Sequence, residues 1–76
     1  MKELIEYMAK AMVENPDEVV VTEHEDGHRV IIHLDVADSD MGKVIGRGGR
    51  VAEAMRSLLK VAAARSDTRA VLDIGD

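Results

Sequence analysis

The sequence predicts an α+β fold: one domain over residues 1–76, ordered α-β-β-α-α-β, with three helices on one face of a three-stranded mixed sheet. Three observations predict it. Residues 3–14 carry apolar pairs at helical spacing, and an Asp26-Gly27 step divides two aliphatic runs of alternating pattern. Two further helical stretches, parted by Gly46-Arg47-Gly48-Gly49, then lead to a short closing strand. A chain of 76 residues lies near the lower end of what folds alone, and without cysteine its stability must come from packing. The core must be aliphatic, because Tyr7 is the one aromatic residue.

In the first element Leu4/Ile5, Met8/Ala9 and Met12/Val13 recur on one face, with Glu3, Glu6 and Lys10 between them. Pro16 disfavours helical geometry at the residue before it, so the helix is predicted to stop at Asn15. Asp26-Gly27 suits a two-residue type I′ turn. Pairing across that turn sets Val19, Val21 and Glu23 opposite Leu34, Ile32 and Val30, a nearly aliphatic face that must meet the core. The other face carries Val20, Thr22 and His24 against His33, Ile31 and Arg29, and is predicted to be open, with Glu23 reaching solvent near the tip. Asp38 is a candidate N-cap for a short helix through Ile45, with Asp40 near its positive end. A longer helix, about Gly49 to Arg65, follows the glycines, and residues 70–74 form the last strand. The second strand should be central, with the two-helix crossover making its pairing to the last strand parallel.

The net charge of -5 argues at first against nucleic acid. Its distribution argues otherwise. Residues 1–40 hold three basic groups against eleven acidic ones, whereas residues 41–65 hold six (Lys43, Arg47, Arg50, Arg56, Lys60, Arg65) against Glu53 alone. Fields decay over roughly 8 Å at physiological salt, so a phosphate beside the central segment feels mainly that segment. A solvated basic helix face is the alternative explanation of the same asymmetry. No run of eighteen apolar residues occurs and the N-terminal stretch is charged, so neither a membrane span nor a signal peptide is predicted, and a cytoplasmic location follows by default.

The segment from Val44 to Ala52 carries the strongest functional signal. It lacks the G-x-x-x-x-G-K-[ST] of a phosphate-binding P-loop, and a dinucleotide fingerprint needs a glycine where Val51 stands. It offers a tight helix–loop–helix with almost no side chains at the bend, so a nucleic-acid backbone can approach the main chain. The N–H groups that open the third helix, and its dipole, favour an anion there. Lys43, Arg47 and Arg50 add charge, and Val44, Ile45 and Val51 offer an apolar wall for bases. Taken alone, a G-x-x-G is also compatible with a plain interhelical turn.

V-I-G-x-x-G between two helices of an α-β-β-α-α-β chain resembles a type II KH domain, whose G-x-x-G loop clamps the backbone of about four nucleotides. The resemblance runs from Lys2-Glu3-Leu4 through Asn15-Pro16 and Met41-Gly42-Lys43-Val44-Ile45-Gly46 to the closing strand. At that length the chain is similar to the KhpA-like family of small bacterial single-KH proteins. The resemblance implies a single-stranded RNA partner, with Gly46, Arg47, Gly48 and Gly49 as the phosphate clamp and Lys43, Val44, Ile45, Arg50 and Val51 as groove neighbours. Of the two variable loop positions, Arg47 and Gly48, one supplies a charge. The resemblance further implies an RNA chaperone, post-transcriptional regulation linked to cell-wall synthesis and cell shape, and pairing either with itself or with a larger KhpB-like KH protein.

The third helix itself points to a partner. Glu53, Arg56, Ser57 and Lys60 occupy an arc of roughly 100°, and the apolar remainder spans about 200°, twice what one core needs. Val51, Met55, Leu58 and Ala62 should face the sheet, leaving the flanks with Leu59 and Val61 to the first helix and to a second subunit. Leu58, Leu59 and Val61 are the candidate dimer residues. An enzyme is not indicated: no nucleophile elbow, cysteine or paired carboxylate is present, and a cofactor or small-molecule substrate is not expected. His24, His28 and His33 have no completing ligands, so they read as surface histidines, and Met8, Met12 and Met55 read as core filler. A protein-interaction or dimerisation module without direct RNA binding is the alternative function.

Overall fold

The computed structural model describes residues 1–75. Helix α1 spans Lys2–Met12, strand β1 Val20–Asp26, strand β2 Arg29–Asp35, helix α2 Met41–Ile45, helix α3 Arg50–Arg65 and strand β3 Arg69–Ile74. Single turns of tighter helix precede β1, α2 and α3, at Pro16–Glu18, Asp38–Asp40 and Arg47–Gly49. The sheet order is β1-β2-β3, with β1 antiparallel and β3 parallel to the central β2, as the crossover argument requires. The helices cover one face of the sheet. Ile5 and Ala9 of α1, Val44 of α2 and Met55 and Leu59 of α3 close on Val21, Ile32, Leu34 and Leu72 to make one aliphatic core.

The hairpin turns one residue later than the Asp26-Gly27 reading has it. Asp26 pairs with Arg29, so the loop residues are Gly27 and His28, and Val21 lies opposite Leu34 rather than Ile32. Positive φ is confined to Gly27 in that loop, the pattern of a type II′ turn and not type I′. The slip in register is two residues. Because side chains alternate with period two, the inward set survives it unchanged. Glu23 does not simply reach solvent: its carboxylate accepts the Lys2 N–H at 3.0 Å, tying β1 to the positive end of α1.

Helix α1 ends at Met12, three residues short of Asn15, and Val13 is already extended. The reason lies elsewhere in the chain. The N–H groups of Glu14 and Asn15 turn away from the helix to the carboxylate of Asp40, at 3.1 and 3.0 Å.

Helix α3 sits on the sheet rotated by about 75° from the predicted orientation. Its buried residues are Ala52, Met55, Leu59 and Ala63, whereas Leu58 is 47% exposed. The helix packs against α2 as well as β3, and the direction that serves both neighbours differs from the one that would serve the sheet alone. Leu59, fully buried, is therefore core and is removed from the candidate dimer residues. The helix closes with the Thr68 N–H on the Ala63 carbonyl at 3.0 Å and the Asp67 N–H on Ala64 at 3.3 Å. Asp67 takes the left-handed conformation (φ 54°) that glycine usually occupies in this arrangement.

Candidate functional site

Helix α2 is five residues long, and its two ends are built differently. At the N-terminal end Asp40 is 1% exposed, the one buried charged residue among those described. Its carboxylate accepts the two N–H groups after α1 and the Asn15 side-chain amide at 3.0 Å, with the Lys43 ammonium 3.6 Å away. Burial alone would push this carboxyl up. The hydrogen bonds from Glu14 and Asn15 and the Lys43 charge outweigh that and hold it below its ordinary value. Asp38 makes no side-chain cap; the acid that matters is two residues on, and it clasps α1 to α2.

At the C-terminal end the backbone turns through glycine. Gly46 has φ 77° and ψ 170°, a region essentially closed to other residues. A Cβ there would lie 2.4 Å from Val51 Cγ2 and 2.8 Å from the Val51 nitrogen. The first glycine of the motif thus lets α2 run hard against the start of α3. Gly48 and Gly49 also have positive φ, but open space surrounds the positions their Cβ atoms would take. The Gly46 N–H reaches the Gly42 carbonyl at 2.9 Å and the Gly49 N–H reaches the Gly46 carbonyl at 3.1 Å. The N–H groups opening a helical turn have no intrahelical acceptor. Here those are Arg47 and Gly48, on an exposed loop.

The predicted RNA-contact residues divide into four sets. Gly46, Arg47, Gly48, Gly49 and Arg50 are brought together on the loop and the first turn of α3, and Arg47 and Arg50 are exposed and form no ion pair among the described residues. Ile45 is 39% exposed and Val51 half-buried beside them, so these two can offer apolar contact. Val44 cannot. It is fully buried in the core, because the helical turn that aims Ile45 outward aims its neighbour at Met55 and Leu59, and it is dropped from the apolar wall. Lys43 is half compensated, 3.6 Å from Asp40 and 3.8 Å from Glu14, so its charge leans toward the clasp. Arg56, which the sequence places on the polar arc of the third helix, donates its guanidinium to the Leu72 carbonyl at 3.4 Å, joining α3 to the free edge of β3. Neither this nor the Asp40 clasp has a local signature, since each joins residues sixteen or more positions apart.

No helix among the described residues is long and apolar enough to cross a membrane, and no cluster of metal-ligating side chains occurs among them. Residues 2–74 match the family model described as KhpA/KhpB, KH domain. The RNA-binding protein KhpA of Halalkalibacterium halodurans is 51% identical over 76 residues, the whole of both chains. That of Caldanaerobacter subterraneus is 49% identical over 97% of this chain and 99% of its own. That of Treponema pallidum is 48% identical over 99% of this chain and 94% of its own. Among solved structures, Era in complex with MgGDPNP and nucleotides 1506–1542 of 16S ribosomal RNA superposes with a TM-score of 0.60 at 16% identity. That likeness is one of fold; it covers 97% of this chain and 28% of the Era chain.

Proposed function

The chain belongs to the KhpA/KhpB KH-domain family, and from that premise we propose that it binds single-stranded RNA by its sugar-phosphate backbone, using the Gly46–Gly49 loop and the N-terminus of α3. One observation carries the reading. The loop is bare, rich in positive-φ glycine and carries or adjoins two arginines, Arg47 and Arg50, that form no ion pair among the described residues, on a chain whose net charge is -5. Gly46 brings the turn against α3, the N–H groups of Arg47 and Gly48 face the ligand, and Arg47 and Arg50 supply the charge. Ile45 and Val51 form the apolar side on which a base rests. A grip on backbone rather than base edges suits many sequences, as an RNA chaperone requires.

Arg47, Arg50 and a partly compensated Lys43 neutralise at most about three phosphates, which gives a salt slope near -2 for a single strand and a micromolar single-domain affinity. The test is Arg47→Asp combined with Gly48→Asp. RNA affinity falls by more than about tenfold, while a side chain at the positive φ of Gly48 lowers the thermal midpoint by roughly 10 °C and leaves the domain folded. Undiminished binding by the folded double variant overturns the clamp.

Pairing is the second part of the proposal, and the stripe of Leu58 and Val61, 47% and 59% exposed, favours it. Through that stripe the chain joins a second copy or a KhpB-like partner, setting two grooves on one RNA. Light scattering of Leu58→Glu and Val61→Glu beside the wild type tests it; the wild type should dimerise at tens of micromolar and the variants should not.

A further inference from the structure

The helices cover one face of the sheet and leave the other bare. The alternation that sends Ile32 and Leu72 into the core turns their strand neighbours the opposite way. On β2 and β3 the register sorts those outward residues into rows. Arg29 and Arg69 form the row nearest the hairpin, Ile31 and Val71 the next, and His33 and Asp73 the third. The middle row is apolar and in contact with solvent, with Val71 42% exposed and Ile31 half-buried.

The two outer rows carry opposite charge. Arg29 is compensated by Asp26 at 3.0 Å, but Arg69 forms no ion pair among the described residues. Asp73 keeps its side chain 69% exposed beside His33, 3.3 Å away. Arg69 and Asp73 stand four residues apart on an extended strand, about 13 Å, too far to satisfy each other. The face is thus positive at one end, negative at the other and apolar between.

A second copy answers all three features at once. Let it be turned over about a two-fold axis that crosses the strands at the Ile31–Val71 row. Apolar residues then meet on the axis, and Arg69 of each copy lies over Asp73 of the other. Such a contact is isologous, so the complementary pair is made twice. An axis running along the strands would instead lay Arg29 on Arg29, which repels. Charge therefore selects both the occupant and its orientation.

We infer that the open sheet face is a self-contact surface, at which two copies of this chain stack face to face with Arg69 of each against Asp73 of the other. The patch measures about 20 Å by 14 Å from strand rise and spacing. That is small beside a stable interface, so the association is weak, with a dissociation constant on the order of hundreds of micromolar. The face lies on the side of the sheet away from the helices and leaves both the glycine loop and the Leu58–Val61 stripe free. A chain that uses stripe and face together assembles beyond the dimer.

Sedimentation equilibrium from about 20 µM to about 1 mM tests it, on the wild type and on Leu58→Glu/Val61→Glu, in which pairing through α3 is removed. The latter protein should still self-associate at the upper concentrations. Adding Arg69→Asp or Asp73→Arg to it singly should weaken that association by at least about tenfold, because like charges then face each other. Both positions are exposed, and circular dichroism checks that each variant is folded. An equal mixture of the two single variants should regain the association, since every arginine again meets a carboxylate. Single variants that associate as their parent does, or a mixture that stays monomeric, overturn the contact. A dimeric wild type beside a Leu58→Glu/Val61→Glu protein that stays monomeric throughout also overturns it, keeps the stripe, and leaves the face to an unlike protein. If the wild type is no heavier than that variant and both dimerise, the stripe fails and the face stands.

Discussion

Only five residues separate the two ends of α2, yet the ends follow opposite rules. At Asp40 a charge is sunk in the structure and every donor around it is satisfied: two N–H groups, a side-chain amide and an ammonium. At Gly46–Gly49 side chains are stripped away, the N–H groups that open the turn have no intrahelical acceptor, and the neighbouring arginines form no ion pair among the described residues. Saturated polar groups hold a fold, whereas unsaturated ones await something. The contrast separates the part of α2 that stabilises from the part that binds. It also explains Lys43, which sits between them and is drawn to the stabilising end.

The largest effect should come from the one loop glycine that belongs to the fold. Gly46→Ala meets both a forbidden backbone region and the Val51 backbone at 2.8 Å, for a loss of about 3–5 kcal/mol. Gly48→Ala, with open space at its Cβ, should lose only about 1–2 kcal/mol. Denaturant melts of the pair decide; equal losses would erase the distinction between Gly46 and the exposed glycines. Next comes the clasp. Asp40→Asn replaces an acceptor-only group with an amide whose NH₂ faces donors, and the midpoint should fall by roughly 10 °C at neutral pH. The folded-state pKa of Asp40 is lowered, so its contribution is present above the ordinary carboxylate value of 3.8 and is lost as pH falls through the lower folded value. The gap between wild type and Asp40→Asn should therefore narrow below about pH 4, and a gap that stays constant to pH 2 would mean that the charge is irrelevant.

Two smaller effects should have the opposite sign. Asp67→Gly relieves a left-handed residue at the end of α3 and should raise the midpoint by several degrees, from a gain of about 0.5–1 kcal/mol. Gly42→Ala tests the middle of α2. The position has helical backbone and nothing within 4 Å of a built Cβ, so alanine should gain up to about 1 kcal/mol. A loss there would show that α2 is under constraint along its whole length, and the two-ended picture would need revision.

Much of this was legible in the sequence because it is local. The alternation of Val19, Val21, Val30, Ile32 and Leu34 set the inward face of the hairpin, and even a register wrong by two residues left that face intact. The glycines of residues 46–49 announced a bend at which backbone is exposed. Charge counted by segment located the basic region within an acidic chain. Each of these depends on residues within about a turn or a strand of one another.

What the sequence by itself determined, then, is the element order, the inward face of the sheet and the place of the loop, all consequences of periodicity and of backbone preferences at glycine and proline. Only the tertiary structure decided how α3 is rotated, and with it that Leu59 is core while Leu58 is free. It alone made Asp40 a clasp and sank Val44. The physical reason is the same in each case. An amphipathic helix with an apolar arc of about 200° has several orientations that bury comparable area. The choice among them falls to neighbours far away in the chain.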